Sequence, residues 1–419
     1  MSFLFALLSG CLLLQLLYPA IAVGIAQFRS IKPNQPARSE AIRFACIITA
    51  YQNATIARPL VQSLLQQTCP DFRIYLVADD CPEVDIGISD AKLVLLIPEN
   101  PLRLKAKSIQ FAIAHFLEQP DYIVIFDADN VAHPAFLDTL KPWIKAGFRC
   151  VQGQRRAKNL DSTFAALDSL GEHYKNYLER EVAFRLGSSA VISGSGMATE
   201  RVLYTDYLYS PAIQQGQEKG KKMLQEDKIL QNFLVQRNER IAYAREGIVF
   251  DEKVHQGAAV ETQRSRWLYS YFQNIPNALG LIARGLKNGS FNQLYFGAIT
   301  LVLPMFIQVG LATTCSIVAL FFTPFWSLAL ILGLVVFALT VLWVLRLDKA
   351  PEAVRRVAWQ TPVFVFRQIK ALLKMRDPNR NFRHTEHRKA VTVEEVLEDP
   401  QLIRNPVSED EGKKNGAVL

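Results

Sequence analysis

The chain has 419 residues, half of them hydrophobic, with 47 Lys and Arg against 39 Asp and Glu, so its net charge is 47 − 39 = +8. That length supplies one large or two medium domains with ample core, and the positive excess suits anionic partners such as a phospholipid surface or nucleotide phosphates. No nucleic acid is expected as a partner, because no recognition motif or base-stacking pattern accompanies the charge. The six cysteines show no paired metal-type spacing, which fits a reduced compartment and ordinary packing.

In chain order, residues 1–28 read as a transmembrane anchor. The stretch 2–28 carries no charge, lacks the basic start of a secretory signal, and exceeds the usual apolar run of about 7–15 residues. A polar domain over 29–290 follows. Within it IRFACIITA (42–50) is a strand apolar on both faces, TIARPLVQSLLQQ (55–67) a helix, FRIYLVADD (72–80) and KLVLLIPEN (92–100) strands, KSIQFAIAHFLEQ (107–119) a helix and YIVIFDADN (122–130) a strand. The alternation predicts an α/β fold with a parallel, doubly wound sheet. Such sheets bind ligands beyond the carboxyl ends of their strands, where Asp79, Asp80, Asp127 and Asp129 fall.

Asp127 and Asp129 stand at i and i+2 of an extended segment and point the same way, so they repel unless a cation lies between them. Hard oxygen ligands of this kind suit Mg²⁺ or Mn²⁺, which bridge to nucleotide phosphates; the alternative is plain capping at a strand end. A long helix is expected over 160–186, then SSAVISGSGMA (188–198), a small-residue loop that lets backbone approach a ligand closely. QEDKILQNFL (225–234) places Glu226 and Asp227 at a helix start, where a carboxylate is favoured and a base projects toward a cleft. QRSRW (263–267) offers Gln263, Arg266 and Trp267: a fork for phosphate and an aromatic plate for a sugar ring.

Between Lys287 and Arg346 lie 58 uncharged residues, enough for two spans over 291–346 with the turn near Thr323 and Pro324. Arg29, Lys32 and Arg38, then Arg284 and Lys287, then Arg346 and Lys349 flank the three spans on one side. The positive-inside rule puts that side in the cytoplasm. Residues 347–380, with Trp359, Phe364, Phe366 and Leu372 among basic residues, are expected as interfacial amphipathic helices. Residues 381–419 are expected as a charged, disordered tail. His384 and His387 stand at i and i+3, but no further metal ligands converge on them.

An acidic strand end, then D-x-D, then E-D, then Q-x-x-R-W, between an N-terminal span and C-terminal spans, resembles the membrane-bound family 2 glycosyltransferases, which include cellulose, chitin and hyaluronan synthases and ceramide glucosyltransferase. The resemblance covers roughly residues 40–346. It implies a GT-A nucleotide-sugar-binding fold with transmembrane helices at both ends, and a metal-dependent, inverting hexosyl transfer using Mg²⁺ or Mn²⁺. It further implies a nucleotide-sugar donor, with UDP as the nucleotide, and a polysaccharide or lipid-linked acceptor. Ala50 and Tyr51 match the nucleotide contact after the first strand, and Asp79, with Asp80 as the alternative, the uracil-binding acid. Asp127 and Asp129 match the metal-binding pair, with Asp127 also facing the donor, and Asp227 matches the catalytic base beside Glu226. Gln263, Arg266 and Trp267 match the diphosphate and acceptor motif, and Gly194, Ser195 and Gly196 the acceptor loop; Lys107 is a further candidate for a phosphate contact. The chain departs from the family pattern at Gln225, where several synthases have Thr, and at Asn53, where an acid is common. Three spans hardly enclose a polymer pore. Either the acceptor is a lipid at the inner leaflet, or export needs a homo-oligomer or a separate export partner. The whole reads as a multi-pass membrane protein, of the inner membrane if bacterial, in contact with membrane lipids and with its catalytic domain in the cytoplasm. Two alternatives stand beside it: a non-processive glycolipid-forming transferase, and a non-catalytic nucleotide-binding subunit.

Overall fold

The structure, a computed structural model, describes residues 2–33, 41–221, 224–253, 257–360, 391–400 and 402. Strands β1 (Phe44–Tyr51), β2 (Phe72–Asp79), β3 (Leu93–Leu96), β4 (Tyr122–Asp127), β5 (Val131–Ala132), β6 (Cys150–Ala157), β7 (Met197–Glu200) and β8 (Ile241–Asp251) form one sheet in the order β3-β2-β1-β4-β7-β6-β8-β5. The predicted parallel arrangement holds for β1 to β4. Their apolar runs bury both faces, with Ile47, Ile48, Val77, Val124 and Phe126 sealed from solvent. Each such side chain contributes about 1.5–3 kcal/mol on burial. Helices α2 (Arg58–Leu65) and α3 (Lys105–Ala114) cover the crossovers.

The other half of the sheet is mixed, contrary to the expectation. β7 runs antiparallel to both β4 and β6, and β5 antiparallel to β8. The reason lies in how the chain arrives. The small-residue loop enters the sheet at the carboxyl end of β4, where Gly196 N donates to Ile125 O (2.9 Å), so β7 must run backwards along β4. The long helix expected over 160–186 is present as α5 (Thr163–Lys175), a π-helical segment (Asn176–Val182) and α6 (Ala183–Arg185). Helix α4 (Phe136–Lys145) packs under β8 and β6. α7 (Arg201–Leu208), α8 (Pro211–Glu218) and α9 (Glu226–Gln236) lead to β8, and α10 (Gly257–Asn288) follows it.

Among the described residues, three helices are long and apolar enough to cross a membrane: α1 (Ser2–Gln27), α12 (Met305–Phe322) and α13 (Pro324–Leu347). The break between the last two falls at Thr323, as expected. The first 11 residues of the predicted 291–346 pair instead form a separate helix, α11 (Phe291–Leu301), which docks on the α/β domain. Its polar side chains explain why: Ser189 Oγ donates to Asn292 Oδ1 (2.8 Å), and Gln293 Nε2 donates to Val235 O (3.1 Å). The uncharged run is therefore three helices rather than two. The apolar helices meet the domain along α5 and the π-helical segment, where Tyr174, Tyr177, Leu178 and Val182 pack with Leu12, Leu16 and Phe337. Gln27 Nε2 donates to Tyr177 Oη there (2.9 Å).

After α13 the chain continues into α14 (Glu352–Val357), beyond which Trp359 is exposed. Residues 361–380 of the expected interfacial stretch, and His384 and His387, lie outside the described residues. The tail is not wholly unstructured. Helix α15 (Val393–Glu398) carries a reciprocal cap, with Glu395 N donating to Thr392 Oγ1 and Thr392 N to Glu395 Oε2. Its apolar side, Val393 and Val396, is buried against Val131 and Phe250 on the β5 and β8 edge.

Candidate active site

The carboxyl edge of β1, β2 and β4 gathers the acidic strand ends, but they do different things. Asp79 is buried, and both its oxygens are taken by backbone amides: Leu102 N to Oδ1 (2.7 Å) and Arg103 N to Oδ2 (2.8 Å). It ties down the loop ahead of α3. Asp80 is the acid that faces outward, with Arg103 Nε 3.6 Å from its Oδ2 and a hydrogen bond to the Tyr51 hydroxyl. Burial, then Asp80, raises that hydroxyl's pKa. Ala50 is buried and offers a ligand only backbone. Gln52, Asp80, Arg103 and Gln225 have φ of 62°, 54°, 54° and 60°. Such left-handed backbone is uncommon outside glycine and collects at functional sites.

Asp127 ends β4, and Asp129 lies in the turn that follows, closed by Asn130 N to Asp127 O (3.0 Å) and Asp127 N to Asn130 Oδ1 (3.1 Å). The Asp129 carbonyl accepts from Lys158 Nζ (2.8 Å). Lys105, in the first turn of α3, places its ammonium 2.5 Å from Asp127 Oδ1 and 3.3 Å from the Gly194 carbonyl. Burial lowers the Lys105 pKa, but Asp127, with Glu226 and Asp227 behind it, more than offsets this, and the net shift is upward. One cation therefore joins the D-x-D strand end to the small-residue loop and feels the E-D pair.

Gly194 closes the circle, since a Cβ built on it would lie 3.8 Å from Asp227 Cβ. Glu226 and Asp227 open α9. Burial, with Asp227 and Asp127 as neighbours, raises the Glu226 carboxyl against the opposing pull of Lys105. The Q-x-x-R-W segment lies on α10, which is fastened to the start of α9 by Ser270 Oγ donating to Gln225 Oε1 (2.7 Å). Gln263 and Arg266 are half-buried. Burial lowers the Arg266 pKa, with Glu226 opposing. Trp267 is 38% exposed, with the Arg264 guanidinium 4.7 Å and the Lys175 ammonium 5.4 Å from its ring centroid; Arg264 is itself paired with Asp168.

Two of the expected residues stand apart from this cluster. Lys107 is exposed and lies about 200° around α3 from Lys105, on the far side of the helix. Ser195 is fully buried, so its side chain does not reach a ligand, and its carbonyl accepts from Gln152 Nε2 (3.0 Å). Lys105, which does lie in the cluster, had a signal in the sequence: it shares the i, i+3, i+4, i+7 stripe of Ser108, Ile109 and Ala112, all buried.

Among the described residues no group of three or more His, Cys, Asp or Glu is arranged to hold a metal alone. Asp127 and Asp129 nevertheless fit a small divalent ion. Their oxygens are hard, the Asp127 side chain is 41% exposed, and Mg²⁺-type ions take one or two carboxylates and complete their shell with water and phosphate.

A family model described as "Glycosyltransferase like family 2" matches residues 42–270. No curated protein matches the chain. Among solved structures, it is similar to the mannosyltransferase PcManGT from Pyrobaculum calidifontis in complex with GDP-Man and Mn2+, at 14% identity over 81% of this chain and 99% of that one, with a TM-score of 0.46. It is also similar to S. aureus TarS 1-349, at 13% identity over 82% and 93% of the two chains, with a TM-score of 0.41.

Proposed function

The chain belongs to the glycosyltransferase-like family 2, whose model spans more than half of it, and from that premise we propose that it is a membrane-bound inverting hexosyltransferase moving sugar from a UDP-sugar to a polysaccharide or lipid-linked acceptor at the cytoplasmic face. The observation that carries this reading is the Lys105 bridge between Asp127 and Gly194, with Asp227 against Gly194. It supports a reading in which positive charge for a departing diphosphate lies near a carboxylate for an incoming alcohol.

In this reading Tyr51 and Asp80 meet the nucleobase, and Asp127 and Asp129 hold a Mg²⁺ or Mn²⁺ ion. When bound, that ion neutralises charge on the diphosphate. Lys105 and Arg266 add fixed positive charge where the leaving group's charge develops, which is more effective in a partly dry site than in water. Asp227 takes the proton of the acceptor hydroxyl. The acceptor oxygen then bonds the anomeric carbon from the face opposite the diphosphate, which leaves with the electron pair of the broken bond. No covalent enzyme intermediate is required. Gly194 lets the acceptor lie against backbone, whereas Gly196 is buried against Val249 and shapes the loop from behind, and Trp267 gives a sugar an aromatic wall. The basic residues Arg29, Lys32, Arg284, Lys287, Arg346 and Lys349 at the span ends support the cytoplasmic orientation. The exposed apolar residues Phe272, Leu279 and Leu286 on α10, and Trp359 beyond α14, support contact with the lipid surface.

The test is a labelled-sugar assay on the full chain in membranes, resolved by thin-layer chromatography, with Asp227→Asn beside the wild type. Turnover that needs a divalent ion, and is lost in the variant, is expected. Unchanged turnover in Asp227→Asn would remove the base. A ladder of products indicates chain extension, and a single lipid-soluble spot indicates one addition to a lipid.

A further inference from the structure

The third apolar helix, α13, stops at Leu347, and the next residue is a buried acid. Asp348 is 1% exposed. His173 Nδ1, on α5, lies 2.6 Å from its Oδ2. Gln154 Nε2, on β6, donates to Oδ1 (3.2 Å), and Arg245, on β8, reaches Oδ1 (3.5 Å) and the Leu347 carbonyl (2.7 Å). Lys349, at φ 54°, then turns the chain away, and Ala350 N closes the helix end on Leu345 O (2.8 Å). Apolar contacts of Leu345, Ala350 and Val354 with Leu170 already hold this helix end to the domain. A buried carboxylate adds desolvation cost and little net attraction, but unlike apolar contact it accepts only one arrangement of its donors.

What that arrangement fixes lies two residues along β6. Gln152 Nε2 donates to the carbonyls of Ser195 (3.0 Å) and Gly196 (3.2 Å), and its Oε1 accepts from Ser193 N (3.0 Å). Gly153 N donates to Gly196 O (2.8 Å), and Arg155 holds Ser193 O (2.7 Å). The pairing of β6 with β8 slips between Gly153 and Gln154, a device that re-aims side chains beside functional sites. One short stretch of strand thus grips the end of a membrane helix with Gln154, and the loop against Asp227 with Gln152, Gly153 and Arg155.

We propose that Asp348 is a positioning residue: it sets the end of α13 against β6 so that the Gly194–Gly196 loop stands where an acceptor held in the membrane meets Asp227. This rests on the proposed transfer to such an acceptor. The test uses Asp348→Ala and, because that variant risks misfolding, Gln154→Leu, which cuts the same connection while leaving His173 and Arg245 on Asp348. The full chain is placed in vesicles of its expression host's lipids with radiolabelled UDP-glucose, UDP-galactose or UDP-N-acetylglucosamine. Transfer into lipid or polymer is measured beside hydrolysis of the same donor by water, together with amide hydrogen exchange.

Both variants are expected to lose transfer by about tenfold to a hundredfold, the scale of a misplacement near 1 Å, with donor hydrolysis within about twofold of wild type. Asp348→Asn, which keeps an acceptor for Gln154 and Arg245, should recover most of the transfer. Exchange at Ser193, Gly196 and Gly153 should quicken, and exchange in β1 and β2 should not. Equal loss of transfer and hydrolysis, or unchanged exchange in the loop, overturns the proposal. If the wild-type chain neither transfers nor hydrolyses any donor, the transferase reading fails by itself, and the exchange measurement still decides whether Asp348 controls the loop.

Discussion

Replacing Lys105 with Met keeps the length of the side chain and deletes its charge. At 2.5 Å from Asp127 Oδ1, the gross attraction is about 7 kcal/mol at an effective dielectric constant near 20. Most of that does not appear as stability. The two side chains are 27% and 41% exposed, water and salt screen them, and exposed pairs of this kind contribute about 0.2–1 kcal/mol net. The expected fall in the thermal midpoint is therefore a few degrees, at about 2–4 °C per kcal/mol. Activity should respond far more, because loss of one fixed charge or donor at a developing anion lowers turnover by about a hundredfold to a thousandfold. Differential scanning fluorimetry and donor turnover on the same preparation measure both quantities. A midpoint that falls by more than about 10 °C with activity falling in step would make Lys105 a structural tie, and unchanged turnover would take it out of the chemistry altogether.

Three further outcomes are expected. Glu226 has its pKa raised by burial, then by Asp227 and Asp127, so the folded state holds its proton more tightly than the unfolded one. Its stabilising contribution is present below the ordinary carboxyl value, about 4.3, and is lost as pH rises through the folded value. Glu226→Gln should then raise the thermal midpoint at pH 8 and give no gain at pH 4; equal gains at both would refute the assignment. Gly196 has φ 63°, and a Cβ there would lie 2.9 Å from Val249 Cγ2, whereas Gly147 has φ 93° and open space around it. Gly196→Ala should cost about 2–4 kcal/mol in chemical denaturation and Gly147→Ala about 1–2, an order that equal losses would contradict. Val396→Asp should free α15 from β5 and β8 and open residues 391–400 to limited proteolysis while the sheet keeps its cooperative melt; protection as in the wild type would show that Val396 does not hold the helix.

The parallel half of the sheet was legible because β1, β2 and β4 are apolar on both faces and β2 and β4 end on acids, a pattern that depends only on neighbours in sequence. The mixed half was not, since the direction of β7 is set by where the loop enters beside Ile125. The same divide runs through the site. Asp127, Asp227 and Arg266 stand out by spacing and order. That Asp79 is tied inward and Asp80 faces outward depends on the distant amides of Leu102 and Arg103, and that Lys105 and Lys107 take opposite sides depends on the phase of α3. The capping pattern of Thr392 and Glu395, with Val393 and Val396 three apart, was readable in the tail, but the surrounding charge pointed to disorder. Nothing local to Asp348 announces His173 or Gln154, 175 and 194 positions away.

The π-helical turn between α5 and α6 has a consequence for insertions and deletions. Glu172, Asn176 and Arg180 are spaced by fours, and a uniform 3.6-residue helix would let them drift around its axis. The wider turn takes up the drift, so Arg180 still reaches both Asn176 and, eight residues back, Glu172 (2.8 Å). Meanwhile Tyr177, Leu178 and Val182 stay against the apolar helices. Losing one residue here would rotate everything downstream by about 100°, swinging the greasy seam toward the charges and the charges toward the apolar helices. The residue count of this segment therefore works like the tooth number of a gear.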